Sequence, residues 1–284
     1  MTPQGWLSRA TTARYAMAAL AVGTALCALT AQAALAAPPA CTSEPSQAAL
    51  NVPRAAEALA KRNSLTIVAI GSSSTVGVGA SSSDRTYPAL LQAELRERFP
   101  GADITVINRG GNGEDVNENL RRFESDVHGA KPDLVLWQLG TNYILRNWGV
   151  QNFAAPFANG LDLIRSYGAD AVVIDLQYSP WVNGDADTPA MTALLASVAR
   201  EKKVSVFKRY ALMKRWVEVE KVPMSTLITF DGLHLTDWSY ACFTRALTAS
   251  LVAGLKSRPA VASAPAAQTS ATSPAQPRTT APRP

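Results

Sequence analysis

The feature that most limits the fold of this chain is an alternation. Short runs rich in Val, Ile and Leu recur, and each is followed by a segment of helix length. The runs are LTIVAI (65–70), DITVIN (103–108), DLVLWQL (133–139), DAVVIDL (170–176) and VSVF (204–207). Between and after them lie YPALLQAELRERF (87–99), EDVNENLRRFESDV (114–127), NFAAPFANGLDLIRSYG (152–168), ADTPAMTALLASVAREK (186–202), KRYALMKRWVEVE (208–220) and TDWSYACFTRALTASLVAGLKS (236–257). Nearly continuous apolar runs predict strands buried on both faces, and helix-length crossovers predict that those strands run parallel. The expectation is an α/β domain over 64–257, with a five-stranded parallel sheet and helices on both faces. An N-terminal extension, 37–63, precedes it and carries an expected helix at QAALNVPRAAEALAKR (47–62).

The two ends have a different character. Residues 1–36 hold Arg9 and Arg14 and no acid, then an Ala/Leu-rich stretch, then the small-residue sites AQA and ALA. A basic region, an apolar region and an A-x-A site together predict an export signal, and so a periplasmic or secreted protein. An uncleaved membrane anchor is the alternative, which Thr24, Thr30 and Gln32 disfavour by diluting the apolar stretch. No later segment is apolar enough to span a bilayer. Residues 258–284 are Ala, Pro, Ser and Thr with three arginines, a composition that predicts a disordered tail. Five of the 27 basic residues lie in these ends, so the remainder balances its 22 acidic residues. The excess positive charge is therefore no sign of a nucleic-acid partner. Once the signal is removed, Cys41 and Cys242 remain. In an oxidising compartment they form one disulfide tying the extension to the last helix, or else both stay free.

In an open parallel sheet, ligands gather beyond the C-terminal ends of the strands. Here those ends read GSSST (71–75), RGGNGED (109–115), GTNY (140–143) and QYSPW (177–181), with FDGLHL (230–235) before the last helix. Four of the five are rich in glycine, hydroxyl, amide or acid–base groups. Asp231 and His234, three apart, can meet on one turn. A carboxylate on Nδ1 fixes the imidazole tautomer and leaves Nε2 free to take a hydroxyl proton. On its own, a D-x-x-H reads as a solvated or capping histidine. The only other histidine, His128, sits in a polar turn away from the strand ends and reads as a surface residue.

Together these blocks resemble the SGNH hydrolases, the GDSL-type esterases and lipases. That family has a Ser after strand one, a Gly after strand two, an Asn in G-x-N after strand three, and D-x-x-H near the C-terminus. The corresponding residues here are GSSST, NRGGNGED, GTN and DGLH, in order, over about 64–250. The resemblance implies a flavodoxin-like three-layer α/β/α sandwich and ester hydrolysis without cofactor or metal. It implies Ser73 as nucleophile with His234 and Asp231, and an oxyanion hole from the Ser73 N–H, the Gly113 N–H and the Asn142 side chain. Gly110 and Gly111 would serve the turn, and Ser72 or Ser74 would cap the next helix. There are two departures: Ser72 stands where the family usually keeps Asp, and Tyr143 where an Asp often follows the block-three Asn.

Competing motifs are incomplete. GGNGED lacks the third glycine of a dinucleotide loop, SVFK lacks the other lactamase elements, and GSSSTVGVG has no P-loop lysine. Tyr143, Trp148, Tyr178 and Trp181 lie on or near strand-end loops, where they could stack on sugar rings or simply pack. The resulting expectation is a monomeric exported esterase whose substrate is a small-molecule or glycan ester, with an O-acetyl carbohydrate or envelope glycan favoured. A lysophospholipase- or thioesterase-type enzyme, an acyltransferase, and a non-catalytic glycan-binding module are the alternatives.

Overall fold

The computed structural model describes residues 40, 41 and 48–257. The expected export signal and the Ala/Pro/Ser/Thr tail lie outside the described residues. Each of the five apolar runs forms a strand: β1 Ser64–Gly71, β2 Asp103–Gly110, β3 Leu134–Gln138, β4 Asp170–Ile174 and β5 Ser205–Phe207. They form one sheet in the order β2-β1-β3-β4-β5, with every pair parallel. The chain steps from β1 outward to β2, then back across β1 to β3. The C-terminal ends of β1 and β3 are therefore neighbours at the point where strand order reverses, where such sheets bind ligands.

The helices are α1 Pro53–Arg62, α2 Ser73–Val76, α3 Tyr87–Arg98, α4 Val116–Arg121, α5 Thr141–Leu145, α6 Ala154–Ser166, α7 Pro180–Asn183, α8 Thr188–Glu201, α9 Arg209–Glu218, α10 Met224–Leu227 and α11 Asp237–Lys256. Alternate strand residues face opposite cores. Leu65, Ile67, Ala69, Leu134, Leu136, Val172 and Ile174 pack with α1, α3, α9, α10 and α11. Val68, Ile70, Val135, Trp137, Ala171 and Val173 pack with α4, α5, α6 and α8. Burying each Val, Leu or Ile among these contributes about 1.5–3 kcal/mol, so the sheet is held from both sides. None of the described helices is long and apolar enough to cross a membrane.

Three features differ from the sequence expectation. First, the helix expected from residue 47 starts at Pro53, because proline suits the first helical turn. Val52 has no capping group, so the Asp170 carboxylate takes over and accepts from the Arg54 and Ala55 N–H groups at 2.7 and 3.0 Å. Second, the segment expected as one helix over 114–127 splits into α4 and a π turn, Phe123–Val127. Arg122 sits at the break, with its guanidinium on Glu114, Asp126 and the Arg109 carbonyl, and Phe123 and Val127 both reach the core. Third, the described residues of the extension pack into the same core. Leu50 and Val52 are buried against α11, the Leu50 N–H donates to the Ser250 carbonyl at 3.2 Å, and Cys41 is joined to Cys242 by a disulfide.

Candidate active site

The loop between α10 and α11 carries Asp231 and His234. It is shaped by an antiparallel bridge between Ile228 and Leu235 and by the Thr229 N–H donating to the His234 carbonyl at 2.9 Å. Gly232 turns the chain with φ +75°, and a Cβ there would lie 2.6 Å from the Trp181 indole, so glycine is favoured there. Asp231 Oδ1 accepts from the Thr229 hydroxyl (2.7 Å) and from the N–H groups of Leu233 (2.9 Å) and His234 (3.0 Å). Its Oδ2 accepts from His234 Nδ1 at 2.6 Å. Burial works against the charge, but these four donors outweigh it and hold the Asp231 carboxyl well below the usual carboxylate range. With Nδ1 protonated toward Asp231, Nε2 is the acceptor, and it lies 2.9 Å from Ser73 Oγ. Such an imidazole can take the hydroxyl proton and keep its own orientation while charged.

Ser73 begins α2, directly beyond β1, and the pattern of donors around it is selective. The Ser72 N–H donates to Gln138 Oε1 (2.9 Å), the Ser74 N–H to Ser72 Oγ (3.4 Å), and the Thr75 and Val76 N–H groups to the Ser72 carbonyl (2.9 and 3.0 Å). The Ser73 N–H alone in this turn meets no acceptor among the described residues. The Gly113 N–H is likewise unpaired there, while its carbonyl accepts from Arg146. Asn142, in α5, spends one amide proton on the Glu114 carbonyl at 2.8 Å, which sets its side chain beside Gly113. Two unpaired backbone donors and a half-used amide are what a developing oxyanion requires. Gly110 approaches α2, where a Cβ would lie 2.2 Å from the Val76 nitrogen, and the Gly111 N–H donates to the Gly71 carbonyl at 2.8 Å. Both serve the turn.

The aromatic residues divide. Trp148 (43% exposed) and Trp181 (61%) stand at the rim, and the Trp181 N–H donates to the Gly232 carbonyl at 3.3 Å. Tyr143, expected among the possible stacking residues, is 3% exposed, with its ring edge-on to Trp148 and Phe153. Tyr178 packs edge-on to Tyr210 and donates to Glu218 at 3.0 Å. Tyr143 therefore has no face free for a sugar, and Tyr178 is only half-buried. His128 lies outside the site, stacked on Tyr167 and bonded to Glu124.

Four residues escaped the sequence reading. Asp115 is buried and caps α4 in a capping box with Glu118, and it also accepts from the Gly140 and Tyr143 N–H groups at 3.2 and 3.0 Å. It thereby locks the Gly113 loop to the Asn142 helix. Burial pushes its carboxyl up to about 6, against the pull of those N–H groups and Arg146. Gln177 accepts from the Thr141 hydroxyl at 2.9 Å and donates to the Leu233 carbonyl at 3.4 Å, linking the Asn142 helix to the His234 loop. Buried Arg209 donates to Gln177 Oε1 at 2.9 Å from behind. Gln138 lies under the Ser73 turn. D-V-N-E at 115–118 is a legible capping box. A glutamine closing an apolar run, as in LVLWQ, is the signal for Gln138.

The sequence pattern of the Non-GDSL lipase-like family matches residues 37–257. The arylesterase of Vibrio mimicus is 31% identical over 97 residues, 34% of this chain and 48% of that one. The chain thus spans about half the length of this relative. Esterase TesA of Pseudomonas aeruginosa is 26% identical over 141 residues, 50% of this chain and 68% of the esterase. Among solved structures, a two-domain esterase active on acetylated mannans has a TM-score of 0.62 at 17% identity, covering 83% of this chain and 58% of that one. At that identity the likeness concerns the fold, and it is the α/β sandwich that the four sequence blocks implied.

Proposed function

The chain belongs to the Non-GDSL lipase-like family, and from that premise we propose that it is an exported serine esterase acting through Ser73, His234 and Asp231. The observation that carries this reading is the unbroken chain from Asp231 Oδ2 to His234 Nδ1 (2.6 Å) and from His234 Nε2 to Ser73 Oγ (2.9 Å). As Ser73 Oγ attacks the ester carbonyl, its proton passes to His234 Nε2, and Asp231 stabilises the imidazolium. The carbonyl oxygen, now charged, is met by the N–H groups of Ser73 and Gly113 and by the Asn142 amide. Such preorganised donors are each worth about 3–4 kcal/mol in the transition state. Collapse expels the alcohol, which takes the proton from His234. Water then enters, His234 takes one of its protons as its oxygen bonds to the acyl carbon, and the C–Oγ bond breaks with Ser73 Oγ taking the proton back from His234, which releases the carboxylic acid.

The favoured substrate is an O-acetyl ester on a carbohydrate or envelope glycan. Two exposed indoles, Trp148 and Trp181, stand beside the Gly113 and His234 loops, where a sugar ring could lie against them. The structurally similar mannan esterase acts on this class of ester. Export is supported by the basic, apolar and A-x-A order of residues 1–36. Ser73→Ala is expected to reduce p-nitrophenyl acetate hydrolysis at least about a thousandfold. A fluorophosphonate should label the natural protein at Ser73 and leave the variant unlabelled. Full activity in Ser73→Ala would sink the reading. Acetate release from O-acetylated glycan, measured against fatty acid release from lysophospholipid, decides between the glycan and lipolytic substrates.

A further inference from the structure

Ser72 departs from the family pattern directly beside the nucleophile, and the turn it belongs to is held from outside. Gln138, the last residue of β3, is 1% exposed. Its Oε1 accepts from three groups of the Ser73 turn: the Ser72 N–H (2.9 Å), the Ser72 hydroxyl (2.8 Å) and the Thr75 hydroxyl (3.2 Å). We propose that Gln138 is a positioning residue for ester hydrolysis, which fixes Ser73 Oγ against His234 and keeps the Ser73 N–H free for the oxyanion.

The pairing scheme around Ser73 carries the argument. Gln138 Oε1 absorbs both donors of Ser72. The Ser72 hydroxyl, held by that bond, then accepts from the Ser74 N–H, and the Ser72 carbonyl takes the next two N–H groups. The neighbouring backbone N–H groups, of Ser72, Ser74, Thr75 and Val76, are thereby occupied, and the Ser73 N–H is left over. Without the oxygen at 138, the Ser72 hydroxyl can rotate and the peptide between Ser72 and Ser73 can turn. The approach is also close. A Cβ at Gly71 would lie 2.5 Å from the Gln138 carbonyl and 2.8 Å from Oε1, so glycine lets the end of β1 settle against this side chain.

The other half of the amide supports the assignment. Gln138 Nε2 is buried and has no hydrogen-bond partner among the described residues. An orphaned buried donor is costly, and turning the amide over would set Nε2 against the Ser72 N–H, which can only donate. The residue is therefore oriented by its oxygen alone. A side chain serving only to fill space beneath the turn would carry no such cost.

The proposal rests on the serine-esterase reading, and the test separates the two. Gln138→Leu removes the acceptor at similar volume. Gln138→Glu, held neutral by burial, keeps an oxygen in the same place. In Gln138→Leu, kcat for p-nitrophenyl acetate is expected to fall about 10- to 100-fold, with KM unchanged and the fluorophosphonate labelling rate falling in proportion. Gln138→Glu should retain most of both rates. Unchanged kcat in a folded Gln138→Leu, a loss confined to KM, or an equal loss in Gln138→Glu would overturn the proposal. If Gln138→Leu does not fold, Gln138→Met carries the test, since its unbranched side chain fits the space of glutamine and puts no oxygen before the Ser72 and Thr75 donors. A matching fall in kcat and labelling supports the proposal, and no fall overturns it. If the natural protein itself is not labelled at Ser73, the esterase reading fails instead.

Discussion

On the proposed reading, Asn142 divides its amide between structure and chemistry. One proton rests on the Glu114 carbonyl, and no acceptor among the described residues takes the other. Asn142→Ala is therefore expected to lower kcat about 100-fold and leave KM nearly unchanged, because the missing donor acts only on the charged intermediate. Steady-state kinetics on a short ester would show it, and a change in KM alone would argue against the role. Asp231 behaves differently, because its charge matters in the ground state as well. Its folded pKa is depressed, so its bonds add stability above the ordinary carboxylate pKa of about 4, and that stability is lost as pH falls below it. Unfolding curves of the natural protein and Asp231→Asn should therefore converge on acidification below about pH 4. A gap that stays constant down to pH 2 would contradict this. At this scale the sequence was legible wherever a residue type was scarce: with two histidines, position against the strand ends singles out His234. It left Tyr143 open, because an aromatic on a strand-end loop looks the same whether its ring turns outward or, as here, into Phe153.

Elements bring these residues together, and Asp115 is the clearest case. A single carboxylate starts α4 and receives the Gly140 and Tyr143 N–H groups at the start of α5. The second and third sequence blocks are thus one unit. Asp115→Ala should cost about 1–3 kcal/mol from the cap and the unpaired N–H groups, and should lower kcat through Gly113 and Asn142. Asp115→Asn, which keeps an acceptor, should recover part of both. Since burial raises this carboxyl to about 6, its protonation favours the fold at low pH, and that contribution fades as pH rises from about 4 to about 6. Asp115→Asn should remove this slope from a plot of unfolding free energy against pH, and an unaltered slope would assign it to another group. The four blocks were legible in the sequence. The carboxylate joining two of them was not, because EDVNENLRRFESDV has enough helical periodicity to pass for one uninterrupted helix. A cap inside such a run is visible only when the D-x-x-E pair is given more weight than the apolar period.

For the whole molecule, the alternation of apolar runs and helices was enough to specify strand number, direction and the two cores, because side-chain period and crossover length both follow from parallel pairing. The domain boundary was less legible, since Leu50 and Val52 precede the first strand and are tied in by contacts far away in sequence, their burial against α11 and the Leu50 N–H bond to Ser250. The disulfide binds this segment further. Cys41 and Cys242 are 201 positions apart in sequence, with Cα atoms 5.2 Å apart. In the chain-entropy model, closing a loop of this length disfavours the unfolded state by about 5 kcal/mol, which for a domain of this size is roughly 10–20 °C in Tm. Cys41→Ser, or added reductant, should lower Tm by a shift of that order. It should leave kcat at 25 °C unchanged, since Ser73, His234 and Asp231 are fixed by their own loops rather than by the tether. The same bond tests export. Protein collected outside the cytoplasm should contain no free thiol at Cys41 or Cys242, and protein retained in a reducing cytoplasm should contain both and melt earlier. Two free thiols in the exported protein, with a Tm indifferent to reductant, would detach the disulfide from both stability and compartment.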